Sequence, residues 1–225
     1  MRKNGSRYIS LRQYRLTDLF LFAVILVVFE VILHFAFEAF HGDFLFSPML
    51  AITLIVMMRW GWPAIFYAVG DGLLFCLLNL KNPDFAPYMF AIYIIGNAFI
   101  ALLFLMTRFM GKKKIRDKWY FSLLFTTAGW IAVVLGRAIV AACFGLGFVS
   151  TLLAHFGDLV SFAVCLTVVL VMRRLDGMFE DQKAFLKRLD EEKKEKERRD
   201  SFGDEPIEVD EESLKILKKD DDLYN

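Results

Sequence analysis

The sequence is poor in the features that mark most catalytic and secreted proteins. It has three cysteines, Cys76, Cys143 and Cys165, far apart and each inside an apolar run. No CxxC and no secreted-type cysteine framework can be written from them, so they read as small buried hydrophobes. Histidine occurs three times and proline five times in 225 residues. There is no HExxH, no GxSG with a suitably placed histidine, no EExxxR and no GxxxxGK[ST]. The chain therefore lacks the ligand set of a metalloprotease helix and the phosphate cradle of a nucleotide hydrolase. Charge is missing from most of the first three quarters of the chain: residues 1–172 contain only 14 Lys/Arg and 8 Asp/Glu. An ordinary soluble enzyme and a nucleic-acid binder with a basic face are both excluded.

Hydrophobic residues fill that space. They make up 57% of the chain, mean hydropathy is +0.47, and phenylalanine alone occurs 24 times. A membrane-spanning helix takes about 20 mostly apolar residues. Five runs meet that length: 16–40, 61–80, 87–110, 119–144 and 150–172. A sixth, 44–58, is short and reads as a tilted span, with a re-entrant segment as the alternative. The basic start (Arg2, Lys3, Arg7, Arg12, Arg15) runs into an apolar stretch too long for a cleavable signal peptide.

The loops between these runs alternate in charge. Cations collect in the N-terminal arm, at Arg59, in 111–118 and at Arg173–Arg174, whereas the opposite turns hold one lysine, Lys81. Positive charge gathers on the cytoplasmic side. The expected fold is an all-α integral membrane protein, a six-transmembrane helix bundle with both termini cytoplasmic. Residues 1–15 form a basic arm, 16–172 the bundle and 173–225 a charged cytoplasmic tail. Thr17 and Asp18 are expected to cap the first span. The tail is expected to be a solvated helix over 177–199, supported by i,i+4 charge pairs, followed by an acidic segment of low hydrophobicity that reads as disordered.

Ionisable residues inside spans are costly and mark candidate sites. Glu30, His34 and Glu38 recur every four residues and share one face of the first span. Asp71 lies between Gly70 and Gly72 in the third, Asn97 in the fourth, Arg137 in the fifth, and His155 with Asp158 in the sixth. In the six-span topology Glu30, His34 and Glu38 stretch from mid-membrane to the outer surface, Asp71 and Asn97 lie at mid-depth, and Arg137, His155 and Asp158 lie in the outer half, so the polar groups converge on the outer half. Asp18, Arg59 and Arg108 sit at the inner ends, placed to snorkel above an apolar floor. The pattern suits a pocket open to the outside rather than a channel, which needs polar lining throughout.

Arg137 is the strongest of these candidates. It either clamps a ligand carboxylate or phosphate or pairs internally with Glu30 or Asp158. Phe37, Tyr88, Tyr93 and Phe144 are available for ring stacking. Trp60, Trp62 and Trp119 read as interfacial belt residues, with Trp130 deeper. Ala128/Ala132 and Ala138/Ala142 are small-residue pairs suited to close helix packing. Outer-side N/O donors, including His41 and Asp43, do not form a tight cluster. No metal, cofactor or catalytic residue is expected.

Phe46-Ser-Pro48, then Gly61-Trp-Pro63, then Gly70-Asp-Gly72-Leu-Leu74 resembles the Pro…Gly…Gly-Asp-x-Leu-Leu progression of the substrate-binding S components of energy-coupling factor (ECF) vitamin transporters. The likeness covers roughly residues 16–172. It implies capture of a small polar, vitamin-like nutrient from outside, in the bacterial cytoplasmic (inner) membrane. It also implies an ECF transmembrane coupling subunit and cytoplasmic ATPases as partners. The site residues would be Glu30, His34, Glu38, Asp71, Asn97, Arg137, His155 and Asp158. The alternative is a non-catalytic membrane scaffold of the rod-shape (MreD-like) type, in which the buried polar residues pair with one another.

Overall fold

A computed structural model describes residues 10–40, 47–83, 85–156 and 159–203. The side chains of 37–40, 156 and 200–203 lie outside that description. The regular structure of the described residues is all helical: α1 (Leu11–Phe40), α2 (Met49–Trp60), α3 (Ala64–Leu78), α4 (Tyr88–Ala98), α5 (Leu103–Met110), α6 (Lys112–Asp117), α7 (Trp119–Cys143), α8 (Phe148–Phe156), α9 (Leu159–Met172) and α10 (Gln182–Gly203). The chain divides into two units, Met1–Gln182 and Lys183–Asn225.

Helix α1 begins earlier than expected. Ser10 and Gln13 form a reciprocal cap: the Gln13 backbone N–H donates to Ser10 Oγ (3.2 Å), and the Ser10 N–H donates to Gln13 Oε1 (3.1 Å). This Ser-x-x-Gln box satisfies two of the helix's orphan donors. Thr17 and Asp18 therefore lie inside the helix and cap nothing.

Three helices are long and apolar enough to cross a membrane: Leu11–Ala36, Tyr88–Met110 and Trp119–Cys143. The second is α4 and α5 joined by a 3₁₀ turn at Phe99–Leu102. The pair α8–α9 makes a fourth if its 52° bend lies within one span; the break falls at 157–158, outside the described residues. Among the described residues the protein is thus an all-helical membrane protein with three helices, or four if the bent pair is one, long and apolar enough to span.

The expected spans over 44–58 and 61–80 correspond to α2 and α3, of 12 and 15 residues. At about 1.5 Å per residue they reach roughly 18 and 22 Å, short of a bilayer core of about 30 Å. Pro48, Pro63 and Pro87 each stand immediately before a helix, where a missing N–H costs little. Gly61 turns α2 into α3 at φ +78°, its N–H donating to Met57 O (3.0 Å).

All twelve residues of α2 are buried. It packs against α1, α3, α7 and α9, which explains a sequence that is apolar all round. Helix α7 packs against α4, α8 and α9. Its closest crossing is with α4, at glycine. A Cβ on Gly136 would lie 2.4 Å from Gly96 O, and one on Gly96 2.7 Å from Arg137 Cα. The alanine pairs do not make this contact, and Ala142 is exposed.

The cationic segment 111–118 is not a plain loop. It contains α6, whose Ile115 is fully buried, with Ser122 Oγ donating to Ile115 O. Arg116 binds Glu180, Lys112 Nζ lies 2.7 Å from Asp181 Oδ2, and Arg173 Nη2 donates to Asp117 O (3.3 Å). These contacts fold the chain after α9 back onto the basic segment.

In the second unit α10 runs on to Gly203, with the i,i+4 pairs Lys187–Glu191, Arg188–Glu192, Lys193–Glu197 and Lys194–Asp190. The acidic segment beyond Gly203 lies outside the described residues.

Candidate functional site

A cavity of about 960 Å³ opens between α1, α3, α4, α7 and α9. Glu30 and His34, one turn apart on α1, both line it. Asp71 reaches it from α3, Tyr93 from α4, Trp130 and Arg137 from α7, and Ser161 and Phe162 from α9. Lys81 and Asn82 line it from the turn after α3.

Arg137 is positioned from two sides. Its Nε donates to Asn97 Oδ1 at 2.8 Å, and its guanidinium carbon sits 4.7 Å from the Tyr93 ring centre. Asn97 in turn donates through Nδ2 to Ala68 O at 3.0 Å, so one buried amide ties α3, α4 and α7 together. The glycine crossing makes this possible: Gly96 and Gly136 bring the backbones close enough for the residues beside them, Asn97 and Arg137, to meet. Among the described residues, neither the Glu30 nor the Asp71 carboxyl comes within ion-pair distance, 4.0 Å, of the guanidinium. Among the described residues the hydrogen-bond partner of Arg137 is the neutral Asn97; Asp158, the other internal partner weighed, lies outside them.

The acidic side is built differently. Glu30 and Asp71 are 6% and 3% exposed and line the same cavity. Ser47 Oγ donates to Glu30 Oε1 and accepts from the Met49 N–H (3.1 Å), linking α1 to the start of α2. Among the described residues Asp71 Oδ1 has no hydrogen-bond partner. Of the two glycines flanking Asp71, only Gly72 is a close-approach residue. A Cβ there would meet Tyr93 O at 2.6 Å, whereas one on Gly70 would meet nothing within 4 Å.

The structure brings Glu30, His34, Asp71 and Arg137 to one cavity. Asn97 lies behind it as a support for Arg137, fully buried. His155 also stands behind the lining, edge-on to the Tyr93 ring with centroids 6.1 Å apart. The Glu38 side chain and Asp158 lie outside the described residues, as does the Phe37 side chain. Tyr88 and Phe144 pair with each other, 6.0 Å between centroids, away from the lining. Ser47 and Ser161 were not foreseen. Ser47 carried one signal, its place directly before Pro48 at a helix start. Among the described residues no three His, Cys, Asp or Glu side chains converge on a point that could hold a metal ion.

The opposite end of α1 is not an apolar floor. Arg59, 5% exposed, grips Asp18 through two hydrogen bonds, Nε–Oδ2 at 2.9 Å and Nη2–Oδ1 at 2.7 Å. Trp60 Nε1 donates to Asp18 Oδ2 at 2.5 Å, and Arg59 Nη1 donates to Gly177 O. Gln182, fully buried, donates to the same carbonyl and accepts from Tyr14 OH (3.1 Å). Arg59 and Asp18 are thus core residues rather than snorkelling ones. Trp60 is a buried hydrogen-bond donor, whereas Trp62 and Trp119 are exposed as interfacial residues would be.

No protein family, no curated protein and no solved structure matches the chain.

Proposed function

We propose that the chain is a membrane-embedded binding subunit that captures a small polar solute in the cavity beside Arg137. The carrying observation is the cavity's make-up. At about 960 Å³ it falls within the range of small-molecule sites, about 300–1,000 Å³. It presents a guanidinium, carboxyl and hydroxyl groups and the rings of Tyr93, Trp130 and Phe162 on otherwise apolar walls. That combination suits a ligand carrying both charge and a flat apolar body. An arginine whose Nε is fixed by Asn97 keeps its outer nitrogens available for a carboxylate or phosphate.

The finer reading is an S-component-type subunit of an ECF importer. It has six crossings, with α2 and α3 as a short hairpin and α8–α9 as one bent crossing. Both termini face the cytoplasm of a bacterium. The cations at 111–118 and at Arg173–Arg174 support this orientation. A transmembrane coupling subunit and cytoplasmic ATPases would drive release inward, since the chain holds no nucleotide cradle of its own.

One observation favours a second reading, the non-catalytic scaffold. Arg137 already has Asn97 and Tyr93 as partners, as a purely structural arginine would.

Mass spectrometry of small molecules released on denaturing the detergent-purified protein separates the two. The expected result is a stoichiometric compound in the wild type that is absent from Arg137→Ala, with both proteins eluting as the same folded species. A wild type that carries nothing after growth in rich medium would sink the solute reading in favour of the scaffold.

A further inference from the structure

We propose that the exposed cations between α5 and α7 form a docking surface for the headgroups of anionic phospholipids. Residues 108–118 carry six cations, Arg108, Lys112, Lys113, Lys114, Arg116 and Lys118, against one acid, Asp117. The structure divides them into two sets. Lys112 and Arg116 face the chain after α9, where Lys112 Nζ lies 2.7 Å from Asp181 Oδ2 and Arg116 binds Glu180. Arg116 also takes up the local acids, with Asp117 at 3.8 Å and Asp176 at 3.6 Å. Arg108, Lys113, Lys114 and Lys118 are exposed, and among the described residues none of them has an acidic partner within ion-pair distance. Helical geometry explains the division. At 3.6 residues per turn, the fully buried Ile115 carries Lys112 and Arg116 on one flank of α6 and leaves Lys113 and Lys114 on the other. Ser122 Oγ donates to Ile115 O, which fixes α6 against α7 and holds its lysines in place.

Position identifies the occupant. Helix α6 joins two helices long and apolar enough to cross a membrane, Tyr88–Met110 and Trp119–Cys143. Phe109, 82% exposed, stands at the end of the first, and Trp119, 61% exposed, opens the second with Tyr120 exposed beside it. Aromatic side chains at the ends of spans sit at headgroup level. Arg108 and Lys118 adjoin these rings in sequence, and Lys113 and Lys114 lie on the short helix between them. At that depth a lysine stem lies along apolar surface while its ammonium reaches a phosphate. Cations directly beside a span attract anionic lipid, by about fivefold in preference for each one. An acidic protein would also meet the charge, but it has no use for exposed rings at both ends of the basic segment. None of these residues lines the cavity, so the surface does not depend on the solute reading.

Electron spin resonance on the full-length protein in phosphatidylcholine bilayers tests the surface. A trace of spin-labelled phosphatidylglycerol or spin-labelled phosphatidylcholine is added, and the immobilised fraction of each gives their relative association with the protein. The wild type should hold phosphatidylglycerol more tightly, and the ratio should fall towards one as salt is raised. Lys113→Gln/Lys114→Gln/Lys118→Gln should lower the ratio severalfold. Lys187→Gln/Lys193→Gln/Lys194→Gln removes the same charge from exposed sites on α10 and should keep the wild-type ratio. A wild-type ratio of one would overturn the proposal and assign the cations to an acidic protein instead. An unchanged ratio in the first triple variant would overturn it too, as would an equal fall in both triple variants, which would report net charge rather than place. Should the first triple variant fail to fold, each single substitution removes an exposed, unpaired cation and should lower the ratio by up to about fivefold. Three single variants with the wild-type ratio would refute the surface.

Discussion

Asp18 and Arg59, 41 residues apart in sequence, are held together by two parallel hydrogen bonds at 2.9 and 2.7 Å. The fork of a guanidinium matches the two oxygens of a carboxylate, which makes this the strongest geometry available to an ion pair. The pair joins α1 to the end of α2, and through Gly177 it also holds the segment that follows α9.

Removing one partner of this pair should be costly. Asp18→Asn leaves Arg59 charged and enclosed, a loss of about 3–5 kcal/mol for a buried pair. The double variant Asp18→Asn/Arg59→Met should recover most of that loss, because no isolated charge remains. Thermal unfolding in one detergent, compared across the single and double variants, decides it. Equal stability of wild type and Asp18→Asn would show that the pair is solvated.

The two glycines around Asp71 should respond oppositely to the same change. Gly72→Ala places a methyl 2.6 Å from the Tyr93 carbonyl, on backbone that cannot swing away. Overpacking of this kind costs about 1–3 kcal/mol. Gly70→Ala meets nothing and should be neutral or stabilising by up to about 1 kcal/mol through helix propensity. Melting curves for the two variants should move in opposite directions; a common shift would mean that α3 and α4 are further apart than described.

Cysteine labelling tests both burial and orientation. Cys143 is exposed at the end of α7, whereas Cys76 and Cys165 are buried. In purified protein a maleimide should modify one thiol quickly. In the proposed orientation an impermeant maleimide added to intact spheroplasts should reach Cys143. Lys113→Cys in a Cys143→Ser background should label only after permeabilisation. The reverse pattern would place the termini outside.

The contacts between the basic segment and the chain after α9 should be salt-sensitive. Lys112–Asp181 and Arg116–Glu180 are partly exposed pairs, each worth roughly 0.2–1 kcal/mol where water can screen them. Raising ionic strength, or substituting Arg116→Gln, should speed hydrogen exchange over residues 173–181 and leave α7 unchanged. Uniform protection at all salt concentrations would mean that packing alone fixes the segment.

Much of the helical framework was legible because its cause is local. Apolar runs of 23 to 26 residues must satisfy their backbone within the bilayer, and a helix does so alone. The helix starts were legible at the prolines before α2, α3 and α4, where a missing N–H leaves few choices. The clustering of Glu30, His34, Asp71 and Arg137 followed from the rarity of such residues in apolar segments. Their division into lining and support did not: nothing around Asn97 or His155 marks them as standing behind the cavity.

The sequence by itself determined that this is an all-helical membrane protein with a charged C-terminal helix, since periodicity, length and charge segregation act within one segment at a time. Only the tertiary structure decided which segments are central and which polar groups meet. Helix α2, of 12 residues, is buried all round because four neighbours enclose it. Arg59 is a core ion-pair partner rather than a snorkelling edge residue. Asn97 meets Arg137 because Gly96 and Gly136 let two helices touch. Each of these depends on the rotation and crossing of helices far apart in the chain, set by how all their surfaces pack at once, and no window of local sequence contains that information.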